Sequence, residues 1–463
     1  LKHHPTGIAR NGSLKKALGF PSLFAVAIGA VTAQSSFVSL LNGTGQGGSA
    51  FLLALLLAFA LTLCYCFTFL ELSLMMPKAG GMGTYTAVSA GHFISIGVVL
   101  GGYVAVVPFS SPAELLLLEK IVALVYPGTF PHLGMALLLL FTALNLLGID
   151  IFSSVQNMVV YTLLVALLVI GITGITGAKA HEPGIREIGG LLTTSGGPVL
   201  SLMVLALWSF AGLEFMCPFI EETKNPQKNL PRTMLLGAAM LLLVYGLLAI
   251  AALRNISPST LAASETPHWL LVESLFGKSA GFVMVVFAIT ATSCVTNTVI
   301  AGIPRMMYGM ARQGQLPAMF GRLHPRWKSP WYGIVAVFLM TAIPLVLLAG
   351  SKDFILLMLI SAATFWLVAY IVAHINVMIL RKRYPEYARP FSTPFYPLPQ
   401  VAGILGMGIA IWYNSPSPEL SRQVYLNSAL MFILISGYAF FWVKYKMRKG
   451  VLETEPIDEA LSE

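Results

Sequence analysis

Between Phe20 and Val443 the chain is a succession of apolar runs, each about as long as a helix needs to cross a bilayer, separated by short polar segments rich in Lys, Arg, Gly and Pro. Cut at those segments, the pattern predicts spans over 20–41, 50–76, 92–125, 133–148, 155–177, 199–219, 233–253, 279–303, 331–349, 354–379, 397–413 and 425–443. The expected fold is therefore an all-α membrane protein of twelve transmembrane helices, with both ends of the chain on the same side. No cleavable signal peptide is expected before the first span, because residues 1–19 are polar and basic.

Charge gives that side a name. Of the 28 Lys and Arg residues, twenty-one fall on the side of the termini, among them Lys15, Lys224, Arg305, Arg312, Arg381 and Lys449. Six (Lys179, Arg186, Arg254, Lys278, Lys352 and Arg422) fall on the other, and Lys120 lies inside a span. Positive charge is retained on the cytoplasmic side, so both termini are expected there. The division that follows is a cytoplasmic tail over 1–19, a membrane domain over 20–445 and a second cytoplasmic tail over 446–463. The acidic stretch from Glu453 to Glu463 is expected to be disordered.

Composition agrees with lipid as the solvent. The hydrophobic fraction is 57%, the charged fraction only 10% and the mean hydropathy +0.80, leaving too few charges to coat a water-soluble surface. The net charge of +9 does not indicate nucleic acid, because the basic residues sit in loops between spans rather than on one aromatic-rich face. Cys64, Cys66, Cys217 and Cys294 lie within apolar runs without CxxC spacing, and no His pair has metal-ligand spacing within one helix, so packing is the expected role of the cysteines and no metal site is expected.

Two spans are interrupted. In the first, Gly29-Ala30-Val31-Thr32-Ala33-Gln34-Ser35-Ser36 puts small and hydroxylated residues at mid-membrane. In the sixth, Phe210-Ala211-Gly212-Leu213-Glu214 sets a glycine beside an acidic residue, with Cys217-Pro218 following. Polar backbone at that depth needs a cavity, and breaks in helices 1 and 6 are the arrangement of two inverted five-helix repeats with a binding site between the breaks. Small residues that let helices approach closely explain the glycines equally well, but not Glu214.

Three stretches resemble the amino acid–polyamine–organocation permeases. The end of the second span, Glu71 to Pro77-Lys78-Ala79-Gly80-Gly81, is similar to that family's acidic-to-Pro-x-x-Gly-Gly signature. The run from Phe210 through Glu221-Glu222-Thr223-Lys224-Asn225-Pro226 to Pro231-Arg232 resembles its sixth helix and following loop, and Arg305-Met306-Met307-Tyr308-Gly309-Met310-Ala311-Arg312 through Pro317 the segment after its eighth. The resemblance spans about residues 17–445. It implies a five-plus-five inverted repeat (about 20–177 and 199–379) with two additional helices (397–443), and transport of amino acids, polyamines or related amines by alternating access. Two departures stand out. Members usually carry Gly-Ser-Gly-Ile-Phe at the first break, where this chain has Ala33-Gln34-Ser35-Ser36-Phe37. Some proton-coupled members carry a bridging Lys in the fifth helix; the matching stretch from Val155 to Leu163 has no cation, the nearest equivalent being Thr162 or Leu163.

The expected substrate-binding set is Thr32, Ala33, Gln34, Ser35, Ser36, Trp208, Phe210, Ala211, Gly212, Glu214 and Asn297. Glu214 is the first candidate for holding an ammonium or a proton, since an ionisable group at mid-membrane persists where it meets a partner or a substrate; bracing the broken helix is the alternative. Trp208 lies in a stretch similar to one that carries a gating Trp in the family, ordinary bundle packing being the alternative, and Asn297 where a substrate-facing aromatic is placed. Glu114 is a second candidate cation or proton site, although Glu119-Lys120 nearby also suggests a wetted helix end or an internal ion pair. The cluster Thr290, Thr292, Ser293 and Thr296 offers Na⁺ ligands, but such hydroxyls commonly bond their own helix. No cofactor is expected; coupling to H⁺ is favoured over Na⁺. The partners are an amino acid or amine and membrane lipid, with no nucleic acid and the oligomeric state open. The expected function is a secondary transporter of amino acids in the cell membrane, proton-coupled or by exchange, with a diamine or other small-amine carrier as the alternative. A membrane sensor of amino acids is a non-transporting rival, and an enzyme is disfavoured because no nucleophile–base set, metal cluster or nucleotide loop is present.

Overall fold

The computed structural model describes residues 14–177, 196–347, 352–414 and 418–462. Lys2, Arg10, Lys179 and Arg186, four of the cations used to infer orientation, lie outside the described residues, as does Glu463. The helices in chain order are α1 (Phe20–Val31), α2 (Gln34–Gly47), α3 (Ala50–Met75), α4 (Met82–Ala90), α5 (His92–Val99), α6 (Val107–Val125), α7 (Leu133–Leu146), α8 (Ile149–Thr176) and α9 (Gly196–Trp208). After a 3₁₀ segment (Leu213–Glu222) come α10 (Pro226–Asn255), α11 (Pro258–Ala263), α12 (Pro267–Phe276), α13 (Ala280–Arg312), α14 (Trp331–Leu347), α15 (Lys352–Arg383), α16 (Leu398–Trp412), α17 (Pro418–Phe441) and α18 (Ile457–Ser462). Among the described residues there is no sheet, only an isolated bridge between Leu18 and Thr223. An unbroken apolar segment in lipid satisfies its backbone polar groups internally only as a helix, which is why the long apolar runs take this form.

Among the described residues, seven helices are long and apolar enough to cross a membrane, and eight if α1 and α2, which meet at 57°, count as one broken span. Three shorter apolar helices, α7, α14 and α16, add to these. Met158, Phe282, Val346 and Ile433 each expose about two-thirds of their surface. Large apolar side chains facing outward on long apolar helices belong against lipid, and the chain is a multi-pass membrane protein. Inside, α1 packs against α8, α10, α13 and the 3₁₀ segment, so the first broken helix is central to the bundle.

The acidic tail corrects one expectation: its described part is ordered. Glu455 is buried and accepts from Lys449 Nζ (2.5 Å) while lying 2.6 Å from His92 Nε2. Ile457 and Ala460 on α18 are buried too. Polar composition alone does not report such bonds, because each needs a partner distant in sequence. Burial pushes the Glu455 carboxyl pKa up, but the hydrogen bonds and charges of His92 and Lys449 outweigh it and hold the group at about 2.

Candidate functional site

The first break is built by residues that cannot continue one helix and do not cap the next. Thr32 turns its hydroxyl back to the Ile28 carbonyl (2.9 Å), and Ala33 is extended at φ −73°, ψ 154°. α2 then restarts at Gln34 with its first N–H groups open, and Ala33 has no side-chain oxygen to cover them. The cap comes from another helix. The N–H of Gln34 donates to Glu114 Oε2 and that of Ser35 to Oε1, both at 3.0 Å.

The second break follows α9. The chain turns through Ser209 to Gly212, whose φ of +124° strains any residue with a side chain and whose added Cβ would lie 3.2 Å from the Ala30 carbonyl oxygen. The two breaks therefore touch. Between them and α6, α13 and α15 lies a cavity enclosing about 830 Å³ of space free of atoms, its mouth included. Its wall includes Ala33, Ser35, Ser36, Glu114, Trp208 and Ala211, all singled out in the sequence, together with Tyr103, Ser110, Ser111, Phe215, Thr296 and Trp366.

The remaining sequence candidates lie off that wall. Thr32 bonds its own helix, and Gln34 sends its amide nitrogen to Thr292 Oγ1 (2.6 Å). Phe210 is buried, its carbonyl accepting from Tyr65 (2.6 Å), and the Gly212 N–H meets the Tyr370 hydroxyl at 3.2 Å. Glu214, 1% exposed, accepts from Trp366 Nε1 (2.9 Å) and from the Tyr370 hydroxyl (2.6 Å), so its carboxylate stands behind the aromatic wall and fixes the Trp366 ring. Trp366 in turn lies edge-on to Trp208 and Phe215, at centroid distances of 5.8 and 5.7 Å. Glu119 and Lys120 form no pair with each other: Glu119 accepts from the Gly134 N–H (2.9 Å) and Lys120 bonds Glu265.

Asn297 belongs to a second polar cluster, next to the cavity. It accepts from Asn145 and donates to Gln156 Oε1, each at 2.7 Å. The amide nitrogen of Gln156, on α8, reaches the Ala25 carbonyl of α1 and the Cys294 carbonyl of α13 (3.3 Å each) and Thr298 Oγ1 (2.9 Å). Gln156 thus joins α8 to α1 and α13. Thr162 instead bonds the Met158 carbonyl on its own helix. A Cβ at Gly29 would fall 2.0 Å from Gln156 Nε2, so the glycine leaves the room that the amide fills. Of the hydroxyl cluster on α13, Thr290 bonds its own helix, Thr292 serves Gln34, and Thr296 is buried without a partner.

Polar side chains also fasten the end of the bundle where the Pro-x-x-Gly-Gly stretch lies. Glu222 and Arg305 form a buried pair, with the guanidinium 4.5 Å from the Phe219 ring centroid. Glu71 accepts two bonds of 2.7 Å from Arg381 and one of 2.8 Å from the Thr393 N–H, and Glu221 accepts from the Ala79 N–H (2.8 Å). Among the described residues, no three His, Cys, Asp or Glu side chains are grouped so as to hold a metal ion. Nothing in the sequence itself marks Tyr103, Trp366 or Gln156 as functional. Trp366 and Tyr370, four apart, do place an aromatic pair on one helix face, but nothing local says that this face meets Glu214.

Residues 18–438 match the family described as amino acid permease. The chain belongs to that family. Over 468 aligned positions it is 25% identical to a glutamate/serine transporter of Bacillus subtilis, covering 94% of this chain and 83% of that one. A serine/threonine exchanger of the same organism is 25% identical over 417 positions (86% and 90%). A methylthioribose transporter, also from Bacillus subtilis, is 26% identical over 289 (62% and 59%). Permeases are carriers rather than enzymes, and the cavity of this permease accordingly sits between two interrupted helices.

Proposed function

We propose that this permease is a secondary active transporter of amino acids, with small amines as the alternative substrate class, working across the cytoplasmic membrane by alternating access. The observation that carries the reading is the cavity between the two helix breaks, walled by α2, α6, α13 and α15 and placed where unwound backbone meets a solute. Family membership supports the substrate class, since the similar proteins include carriers named for glutamate, serine and threonine.

Twelve spans follow if the eight long spans are joined by the three short apolar helices and by α9 with its 3₁₀ continuation as a second broken helix. On that count the two breaks fall in spans one and six, in keeping with a five-plus-five inverted repeat, and the bias of Lys and Arg supports cytoplasmic termini. The Glu222–Arg305 pair then closes the cytoplasmic side, and its opening admits the solute to the cell. With the Gln156 amide among the oxygens of Ala25, Cys294 and Thr298, those atoms already have a donor, which supports a carrier that works without Na⁺.

Proteoliposomes made with and without internal solute test the reading. Uptake of labelled amino acid or amine into empty vesicles under a pH gradient indicates proton coupling, and uptake only into loaded vesicles indicates exchange. Binding without flux under either condition would sink the transport reading in favour of a sensor.

A further inference from the structure

The open N–H groups at the start of a helix, with the positive end of its dipole behind them, form a natural seat for a carboxylate. At the first break of this permease the seat is filled by the chain itself. Both Glu114 oxygens are engaged, one by the Gln34 N–H and one by the Ser35 N–H, and Glu114 is 5% exposed. Glu114 is also the one acidic residue on the cavity wall, where no Lys, Arg or His is found among the described residues.

The rest of the wall suits a cation. Tyr103, Trp208, Phe215 and Trp366 form a connected aromatic cluster, with neighbouring centroids 5.7 to 6.4 Å apart. Aromatic faces attract ammonium groups. A carboxylate has about four acceptor positions, so two N–H bonds leave room for an ammonium. When Glu114 is ionised, the helix terminus offsets only about half of its charge, which leaves the cavity net negative. Thr296, a wall residue 2% exposed, carries a buried hydroxyl without a partner. A zwitterionic amino acid would bring a second carboxylate to a seat already taken, in a low-dielectric space with no cation on the wall to receive it.

We propose that Glu114 is a built-in carboxylate standing in for that of the substrate, so that the site prefers a small primary ammonium ion whose carboxylate is absent or masked over the corresponding zwitterionic amino acid. The inference rests on the transport reading and narrows its substrate class. Glu114 acts as a specificity residue: it holds the ammonium and excludes a competing anion.

Matched pairs with one side chain and different head groups test it: serine with serinamide and ethanolamine, valine with valinamide, and leucine with leucinamide, plus putrescine. Binding to the full-length purified protein is read by thermal stabilisation, and flux by exchange in proteoliposomes. A pH of about 6.5 keeps an α-amino group of pKa about 7.7–8.0 protonated. The wild-type protein is expected to bind the carboxylate-free member of at least one pair about tenfold more tightly than its amino acid. Glu114→Ala, which opens the seat, reverses that preference, and Glu114→Gln, of the same size, abolishes it. The wild-type comparison needs no variant to fold. An amino acid preferred over its amide in the wild type overturns the inference while leaving transport intact, because the substrate's carboxylate must then displace Glu114. No flux of acids or amines alike overturns the transport reading and the inference with it.

Discussion

Glu214 and Glu114 look alike in the sequence, each an acid within an apolar span, yet they meet opposite surroundings. Glu214 faces two fixed donors, the Trp366 indole and the Tyr370 hydroxyl, whereas Glu114 faces backbone N–H groups and a cavity. Replacing Glu214 by Ala leaves both donors unpaired and is expected to cost about 3 kcal/mol of stability. Thermal denaturation checks the loss, and the preference between acid and amide should remain with Glu114. Gln156 is a neutral amide that nothing local in the sequence marks as a bridge, but its reach from α8 to α1 and α13 makes it one. Uptake is expected to be unchanged when Na⁺ is replaced by K⁺ on both sides of the membrane, and a loss of flux in K⁺ would contradict the occupancy of that oxygen cluster by the amide.

At the scale of elements, the position of both breaks was legible because small and polar residues interrupt otherwise apolar runs. Their geometry was not. The 57° turn between α1 and α2 depends on a cap supplied from α6, eighty residues away in the chain. The second break depends on Gly212, and Gly212→Ala forces a side chain into φ +124° against the Ala30 carbonyl. That strain is expected to cost about 1–3 kcal/mol. A fall in Tm with altered flux would show it; an unchanged Tm would mean the turn relaxes. The short helices α7 and α16 gave strong hydropathy signals in the sequence, but their regular portions stop at 14 and 15 residues. Apolar composition marks a span without specifying how much of it stays helical.

Across the whole molecule, long-range ion pairs fasten the ends of the bundle. Arg305→Met leaves Glu222 buried without its cation and is expected to destabilise the protein by about 3–5 kcal/mol, while the double variant with Glu222→Gln recovers part of the loss. A double-mutant cycle on Tm measures that coupling. The tail latch has its own signature. Glu455 is held at about 2 against an ordinary 4.5, so its contribution is complete above about pH 4.5 and disappears as pH falls toward 2. Protection of the C-terminal segment from proteolysis by an acid-active protease should follow that window, and Glu455→Gln should lose protection even at neutral pH.

The sequence by itself determined the solvent of the chain, its helical class and the two places where the helices fail, because each is a property of consecutive residues: apolar length, Gly and Pro punctuation, and the burial cost of polar backbone. Family likeness was equally readable, since motifs keep their order along the chain. Only the tertiary structure decided which acid braces a wall and which fills the seat at the helix break. That depends on the partners brought to each carboxylate, Trp366 and Tyr370 for one and the Gln34 and Ser35 N–H groups for the other, and these come together only when distant segments pack.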